Sequence, residues 1–288
     1  MKKEKIYPYL LLLPAFLVVI VLYLYPVVIT IFQSFSKVDV VNNSLSYVGF
    51  NNYLDLFHDQ SFYTSLKITV KYTAITVFLK IMGGFIIAYL LHRNIYLKKT
   101  MSFVNLIPWA IPQLVGSTLW AWILDGNYGY LNYYLMKFKL ISKPIAFLSK
   151  PDTAFYMASF VDAWMGISFV SLMFLSSLEQ IPLNLYEASQ MDGASKFRQF
   201  MDITLPGIKN TFLTVLILVT IWSFNSFNVI YVLTEGGPMR ATETLVIKIY
   251  EEAFSRFNLG MSSTINVISV LILSILTFLY ARRLSYEE

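Results

Sequence analysis

Six stretches of this chain are apolar for about the 20 residues that carry an α-helix across the hydrocarbon core of a bilayer. They run roughly over Tyr7–Phe32, Tyr63–Leu91, Met101–Leu124, Thr153–Leu178, Asn210–Leu233 and Met261–Tyr280. The competing reading is one large soluble helical core. Such a domain carries about 25% charged residues, whereas this chain has 14% charged and 57% hydrophobic residues. The runs therefore read as membrane-spanning helices and the chain as an all-α, multi-pass membrane protein.

The polar segments lie between those runs. Phe35–Gln60, Asp125–Asp152 and Thr234–Gly260 form longer loops, and the third opens on the turn signal Glu235-Gly236-Gly237-Pro238. His92-Arg93 through Lys98-Lys99 is a short basic turn, and Glu179–Lys209 is a polar island. Prolines 8, 14 and 26 predict kinks or frayed ends in the first span, and Pro108 and Pro112 fall within the third. The Lys2-Lys3-Glu4-Lys5 start is like a signal-peptide n-region, but the apolar run after it is too long and no A-x-A site follows. It reads as a retained anchor. Lysines and arginines divide almost evenly between the two sides. Those placed with the N-terminus hug the span ends, which is where the positive-inside rule acts. This puts the N-terminus and the island Glu179–Lys209 in the cytoplasm.

Several chemistries are excluded or left without support. The chain has no cysteine, so disulfides, thiolate nucleophiles and Cys-ligated zinc are ruled out. His58 and His92 are too few and too far apart for a His-rich metal site and read as solvated or interfacial. No Ser/His/Asp set or paired-carboxylate site is recognisable, so no catalytic or metal-binding residue is assigned. The net charge of +5 reads as membrane topology, since no basic tract with interleaved aromatics speaks for nucleic acid. Over Thr244–Phe257, Leu245, Ile249, Tyr250, Ala253 and Phe257 share a helical stripe from which Lys248, Glu251, Glu252 and Ser255 are excluded. This predicts an amphipathic helix at the outer membrane surface.

The island has the parts of a bent lever. Pro182 suits a helix start, and Tyr186–Met191 can make a short helix that Gly193 ends with a left-handed residue. Ser195 can cap a second short helix, which Pro206 is expected to stop. On physics alone two readings stay open: an ordinary solvated loop, or a rigid helix–turn–helix against which a partner can push.

Glu187-Ala188-Ser189-x-x-x-Gly193, followed by Ile203-x-Leu205-Pro206, resembles the EAA loop of ABC-importer permeases. Leu178-Glu179-Gln180-Ile181-Pro182, Tyr186-Glu187-Ala188 and Met191-Asp192-Gly193-Ala194 resemble the maltose-type, carbohydrate-uptake branch of that family. So do Gly49-Phe50-x-Asn52-Tyr53, Leu233-Thr234-x-Gly236-Gly237-Pro238, and Tyr250-x-x-Ala253-Phe254 with Gly260. Ser189 stands where the pattern has a second alanine, a swap that keeps the residue small. The resemblance implies a type I ABC-importer permease fold with six transmembrane helices and a cytoplasmic coupling helix. It implies that Glu187, Ala188, Ser189, Asp192, Gly193, Leu205 and Pro206 couple the chain to a cytoplasmic ATPase. Glu187 would anchor it, Ala188 pack closely and Gly193 make the bend. Because the chain lacks G-x-x-x-x-G-K-[ST], it is expected not to be an enzyme and to carry no cofactor. ATP and Mg would be bound by two separate ATPase subunits. The other implied partners are a related second permease forming a heterodimer, an extracytoplasmic solute-binding protein, the bilayer and a sugar.

Asp162, Met165, Gly166 and Phe169 share one face of the fourth span at helical spacing. Trp222, Ser223 and Ser226 do so in the fifth, with Asn225 adjacent. Aromatic faces stack on sugar rings, and carboxylate and hydroxyl groups hydrogen-bond sugar hydroxyls. Gly166 is expected to leave space for a ring. These positions match the sugar-contacting stripes of maltose-type permeases, although Asp162 and Ser226 replace amides. Small and hydroxyl residues also line helix–helix interfaces, which is the structural alternative. Asp162 is the strongest candidate, because a carboxylate at membrane depth is costly and marks function. Trp109, Gln113 and Trp120 are weaker candidates. Lys80 can pair with an acid, contact the partner permease, snorkel or meet the substrate.

The resulting expectation is a sugar permease of the bacterial inner or cytoplasmic membrane, most simply for an oligosaccharide. A glycerol-phosphate-type permease is the in-family alternative. An ion-coupled secondary transporter using Asp162 and Lys80 is the rival from another class. Residues 1–62 form the first helix and outer loop, 63–282 the permease core with the EAA loop at about 179–209, and 283–288 a cytoplasmic tail.

Overall fold

The computed structural model describes residues 2–39, 44–93 and 96–285. Residues 286–288 of the expected tail lie outside them. Along the chain the helices are α1 (Lys2–Val19), α2 (Tyr25–Ser34), α3 (Asn51–His58), α4 (Gln60–His92), α5 (Lys98–Ala110), α6 (Gln113–Ile123), α7 (Tyr130–Lys137) and α8 (Pro151–Glu179). They continue as α9 (Leu183–Met191), α10 (Lys196–Gln199), α11 (Leu205–Gly207), α12 (Lys209–Phe224), α13 (Asn228–Thr234), α14 (Leu245–Tyr250) and α15 (Leu259–Ser285). The chain forms two compact units. One takes the chain up to Thr64 together with Lys248–Ile272, and the other takes Ser65–Ile247 and the chain from Leu273 onward.

Among the described residues, five segments are long and apolar enough to cross a membrane: Leu11–Ser34, Gln60–His92, Pro151–Glu179, Lys209–Thr234 and Leu259–Tyr280. At the place of the third expected span, Met101–Leu124, stands a broken pair, α5 and α6. Pro112 causes the break. It has no N–H to give, and it forces the residue before it out of the helical region. Ile111 accordingly has ψ 129 and Pro112 itself ψ 133. Pro108 stays inside α5. The fifth span is interrupted as well, between Phe224 and Asn228. No proline lies there. The Asn225 side chain donates to the Ile221 carbonyl at 2.9 Å, and the Asn225 backbone N–H reaches the same oxygen at 3.2 Å, so the helix ends on a carbonyl bonded twice by one residue.

In the first unit, α1 runs through Pro14 unbroken and passes into a π turn over Ile20–Leu24 just before Pro26. The widened turn relieves the clash between a proline ring and the carbonyl four residues back. An antiparallel hairpin, β1 (Ser36–Asp39) with β2 (Ser44–Tyr47), pairs Ser36 with Tyr47 and is an addition to the all-helical expectation. Asn52 ties α3 to this corner by donating to the Ser34 and Ser36 carbonyls at 2.9 and 3.0 Å. The expected amphipathic helix is shorter than its pattern, because α14 gives way to a π turn over Glu251–Ser255. Lys248 and Glu252, placed by the pattern off the apolar stripe, are buried, while Phe257 is exposed. Ion pairing explains the inversion: Lys248 reaches Asp59 at 3.3 Å, and Arg256 reaches Glu252 at 2.8 Å. Burial alone would raise the Asp59 carboxyl. Hydrogen bonds from Ser61 and the charge of Lys248 outweigh it and hold the group below its ordinary value.

The second unit has two apolar clusters strung along α8. Phe155, Ala158, Val161 and Met165 belong to one, with Tyr72, Leu124, Val229 and Ile230. Val170, Phe174 and Leu178 belong to the other, with Val77, Val215 and Val219. A Cβ on Gly84 would collide with the Val170 side chain, so α4 and α8 approach as closely as small residues permit.

Candidate functional site

A cavity of about 610 Å³ lies within the second unit, lined by residues of α4, α8, α12 and both helix breaks. Of the sequence candidates, Asp162, Met165, Gly166, Trp222 and Ser226 line it, as do Trp109 and Gln113. Phe169 supports the lining from behind. Its ring meets Trp222 at 4.9 Å and Trp109 at 6.1 Å between centroids. Ser223 acts through Lys80, accepting a hydrogen bond from its ammonium at 2.9 Å. Trp120 is turned away, packed edge-on to Phe160 and Trp164 at 5.4 and 5.5 Å.

The polar centre of this wall is an ion pair. Lys80 Nζ lies 3.1 Å from Asp162 Oδ1, and both residues are only 3% exposed. The Tyr72 hydroxyl donates to Asp162 Oδ2 at 3.2 Å and lies 3.5 Å from Ser226 Oγ. An isolated ion at this depth carries a desolvation penalty of several kcal/mol, so each charge here depends on the other. Gly166 has a different part from the one expected. A Cβ there would strike the Lys80 stem, so the missing side chain makes room for the lysine rather than standing open for a ring.

Of the roles open to Lys80, pairing with an acid is the one made within this chain. Tyr72 escaped the sequence reading altogether. The row Tyr72, Thr76, Lys80 at i, i+4, i+8 was its signal, three polar groups on one stripe of an apolar helix. Neither break was expected to border the cavity. Asn228 beyond one break donates to Gln113 beside the other at 3.0 Å.

The island is a bent elbow, much as its residues predict. Pro182 precedes α9, which starts at Leu183, one turn before the expected Tyr186. Gly193 takes φ +75, with Gly193 N bonded to the Gln190 carbonyl at 3.0 Å and Ala194 N to Ser189 at 2.9 Å. These are the two bonds of a Schellman cap. Nothing lies within 4 Å of a Cβ built on Gly193, so backbone conformation alone asks for glycine. Ser195 Oγ accepts from Arg198 N at 3.3 Å and caps α10. Pro206 does not stop that helix as expected. A π turn over Phe200–Thr204 intervenes, and Pro206 opens the next helical turn, where a missing N–H is harmless. Tyr186 and Thr204 hydroxyls meet at 2.9 Å and brace the two arms. Ser189 donates to the Tyr186 carbonyl at 2.8 Å. Glu187, Ala188, Asp192, Leu205 and Pro206 are exposed. So are large apolar side chains beside them, Met191 at 89% and Phe197 at 73%. Apolar groups presented this openly around a polar rim mark a contact surface.

Residues 80–285 match the family described as binding-protein-dependent transport system inner membrane component. The chain is 32% identical over 277 residues to the trehalose/maltose transport system permease protein MalF of Thermococcus litoralis, covering 95% of this chain and 92% of that one. It is 31% identical over 275 residues to the sn-glycerol-3-phosphate transport system permease protein UgpA of Agrobacterium fabrum, covering 95% and 93%. In fold it is similar to a chain in the crystal structure of a bacterial ABC transporter involved in the import of the acidic polysaccharide alginate. The TM-score is 0.83 at 19% identity, over 98% of this chain and 96% of that chain.

Proposed function

The chain belongs to the family of binding-protein-dependent transport system inner membrane components, and on that premise we propose that it passes an oligosaccharide through the 610 Å³ cavity. It is a multi-pass permease subunit of an ABC importer. In this reading a solute-binding protein delivers the sugar on the outer side of a bacterial cytoplasmic membrane. A second, related permease completes the pore. Two ATPase subunits bind ATP and Mg, close on each other and drive the elbow Leu183–Pro206 from the cytoplasm. Asp162, Met165, Gly166, Trp222 and Ser226 face the cargo, with Phe169 and Ser223 holding Trp222 and Lys80. Glu187, Ala188, Ser189, Asp192, Gly193, Leu205 and Pro206 form the coupling surface.

The observation that carries this reading is the lining of the cavity. Two tryptophans, a carboxylate, an ammonium and a hydroxyl converge on one space among helices long enough to span a bilayer. A sugar needs both kinds of surface, rings for its apolar faces and hydrogen-bonding groups for its hydroxyls. Cargo names among the relatives support the class: trehalose/maltose for one, sn-glycerol-3-phosphate for another.

The test is uptake of radiolabelled maltotriose and glycerol 3-phosphate by proteoliposomes holding the assembled importer and its binding protein. Uptake that vanadate abolishes and a protonophore leaves intact is expected. The reverse pattern would point to ion-coupled transport through Asp162 and Lys80 and would remove the ATP-driven reading.

A further inference from the structure

Lys80 and Asp162 are the two charged residues among those that line the cavity, and together their charges cancel. A lysine ammonium has three N–H donors. In Lys80 one goes to Asp162 Oδ1 and one to Ser223 Oγ, which leaves one. Asp162 accepts from Lys80 on one oxygen and from Tyr72 on the other, and each oxygen keeps a free lone pair. The lysine stem lies in the space that Gly166 leaves, so α8 itself holds the ammonium against the carboxylate.

We infer that the Lys80–Asp162 pair tunes the cavity to uncharged, hydroxyl-rich cargo and sets it against anionic cargo. This rests on the reading that the cavity holds cargo, and it chooses between the two cargo classes within that reading. A sugar diol fits the remaining hydrogen-bonding capacity. One hydroxyl oxygen accepts the spare N–H of Lys80, and a neighbouring hydroxyl donates to Asp162. A phosphate or carboxylate offers acceptors alone. An anion that takes the spare N–H of Lys80 lies beside the Asp162 carboxylate with no proton to give it, and one that takes over the ammonium displaces Asp162, which then stays buried without its cation. Both terms oppose binding. Tyr72 and Ser223 add to the barrier, because each would lose its own bond in that exchange.

The charge filter is read on the purified, assembled importer in lipid nanodiscs. Trp109 and Trp222 border the cavity and report occupancy through their emission. Three trisaccharides serve as probes: maltotriose without charge, trigalacturonate with negative charge, and fully deacetylated chitotriose, the glucosamine trimer, at pH 6 with positive charge. Wild type is expected to bind maltotriose at least tenfold more tightly than either charged probe. Asp162→Asn frees the ammonium and should gain trigalacturonate binding at least tenfold, an effect that high salt weakens. Lys80→Gln frees the carboxylate and should gain chitotriose binding instead, so either variant suffices if the other does not assemble. Equal affinities for all probes in wild type overturn the inference, as do unchanged ratios in the variants, and both leave the cavity as a cargo site. Emission that no probe changes in any protein removes the cargo reading itself and the inference with it.

Discussion

Around the cavity, polar side chains find their partners far along the chain. Lys80 of α4 meets Asp162 of α8 across 82 residues and Ser223 of α12 across 143. At the elbow the capping contacts are local. Gly193 bonds to Gln190, Ala194 to Ser189, and Ser195 takes the N–H of Arg198, while the longer Tyr186–Thr204 bond spans 18 residues. A region held by its own caps keeps its shape when it is pushed as a body. A region held by contacts among three helices changes whenever one of them shifts. Local closure suits a part that receives force, and long-range closure suits a part that must respond to it.

The contrast breaks most sharply at the ion pair. Lys80→Met or Asp162→Leu leaves one buried charge alone and should destabilise the protein by about 3–5 kcal/mol. The double variant should recover most of that, because no lone charge remains. Thermal unfolding of the purified complex, read as a double-mutant cycle, decides the matter. Additive losses would mean that the two side chains do not sense each other.

Gly193→Val is expected to cost less in stability, about 1–2 kcal/mol for a left-handed residue with a Cβ, and yet to abolish uptake. The site is open around Gly193, so the loss must come through the changed bend. Asn tolerates this conformation better, and Gly193→Asn should keep most activity. Normal transport by the valine variant would separate the elbow from coupling. Ser195→Ala removes a single cap and should cost about 0.5–2 kcal/mol. Faster amide exchange confined to residues 196–199 is the sign to look for, and exchange that spreads into α8 would contradict local closure.

The smallest effect concerns Asp125, in the loop after α6. Its carboxylate accepts the backbone N–H groups of Asn127 and Tyr128, both at 2.8 Å. The Tyr128 bond and then the Asn127 bond hold its pKa below the ordinary carboxylate value. A depressed carboxyl stabilises the turn above its unfolded pKa, and that contribution fades as pH falls through the folded one. Protection of the Asn127 and Tyr128 amides, taken relative to their intrinsic exchange rates at each pH, should therefore fall in acid, and in Asp125→Asn it should lose this pH dependence.

The same contrast explains what the sequence made legible. The elbow was readable down to Gly193 and Ser195, because a left-handed glycine and a serine cap are written in neighbouring residues. Its first helix began a turn early, at Leu183, and the larger error, Pro206 as a stop, came from judging a proline without knowing which helical turn it would enter. Spans were readable from their apolar length, but their interruptions were not. Pro112 was noted only as lying within the third span, and the stop at Asn225 has no proline to mark it. Asp162 stood out as a carboxylate at membrane depth. Tyr72 did not, and Gly166 was given to the wrong neighbour, since only the packed helices bring the Lys80 stem to it.

The two interruptions have a mechanical consequence. An intact helix hides its amide groups from lipid by bonding them to one another. Where it stops, a helix leaves its terminal N–H and C=O groups without partners in the ladder, and at membrane depth such backbone is tolerated where it borders protein or a cavity. Ile111 and Pro112 at one gap and Asn225 and Ser226 at the other border the cavity, and the Asn228–Gln113 bond ties the two gaps together. Either half-rod can then tilt without bending its other half. Under the proposed transport role, the cavity would widen by pivoting at these paired joints.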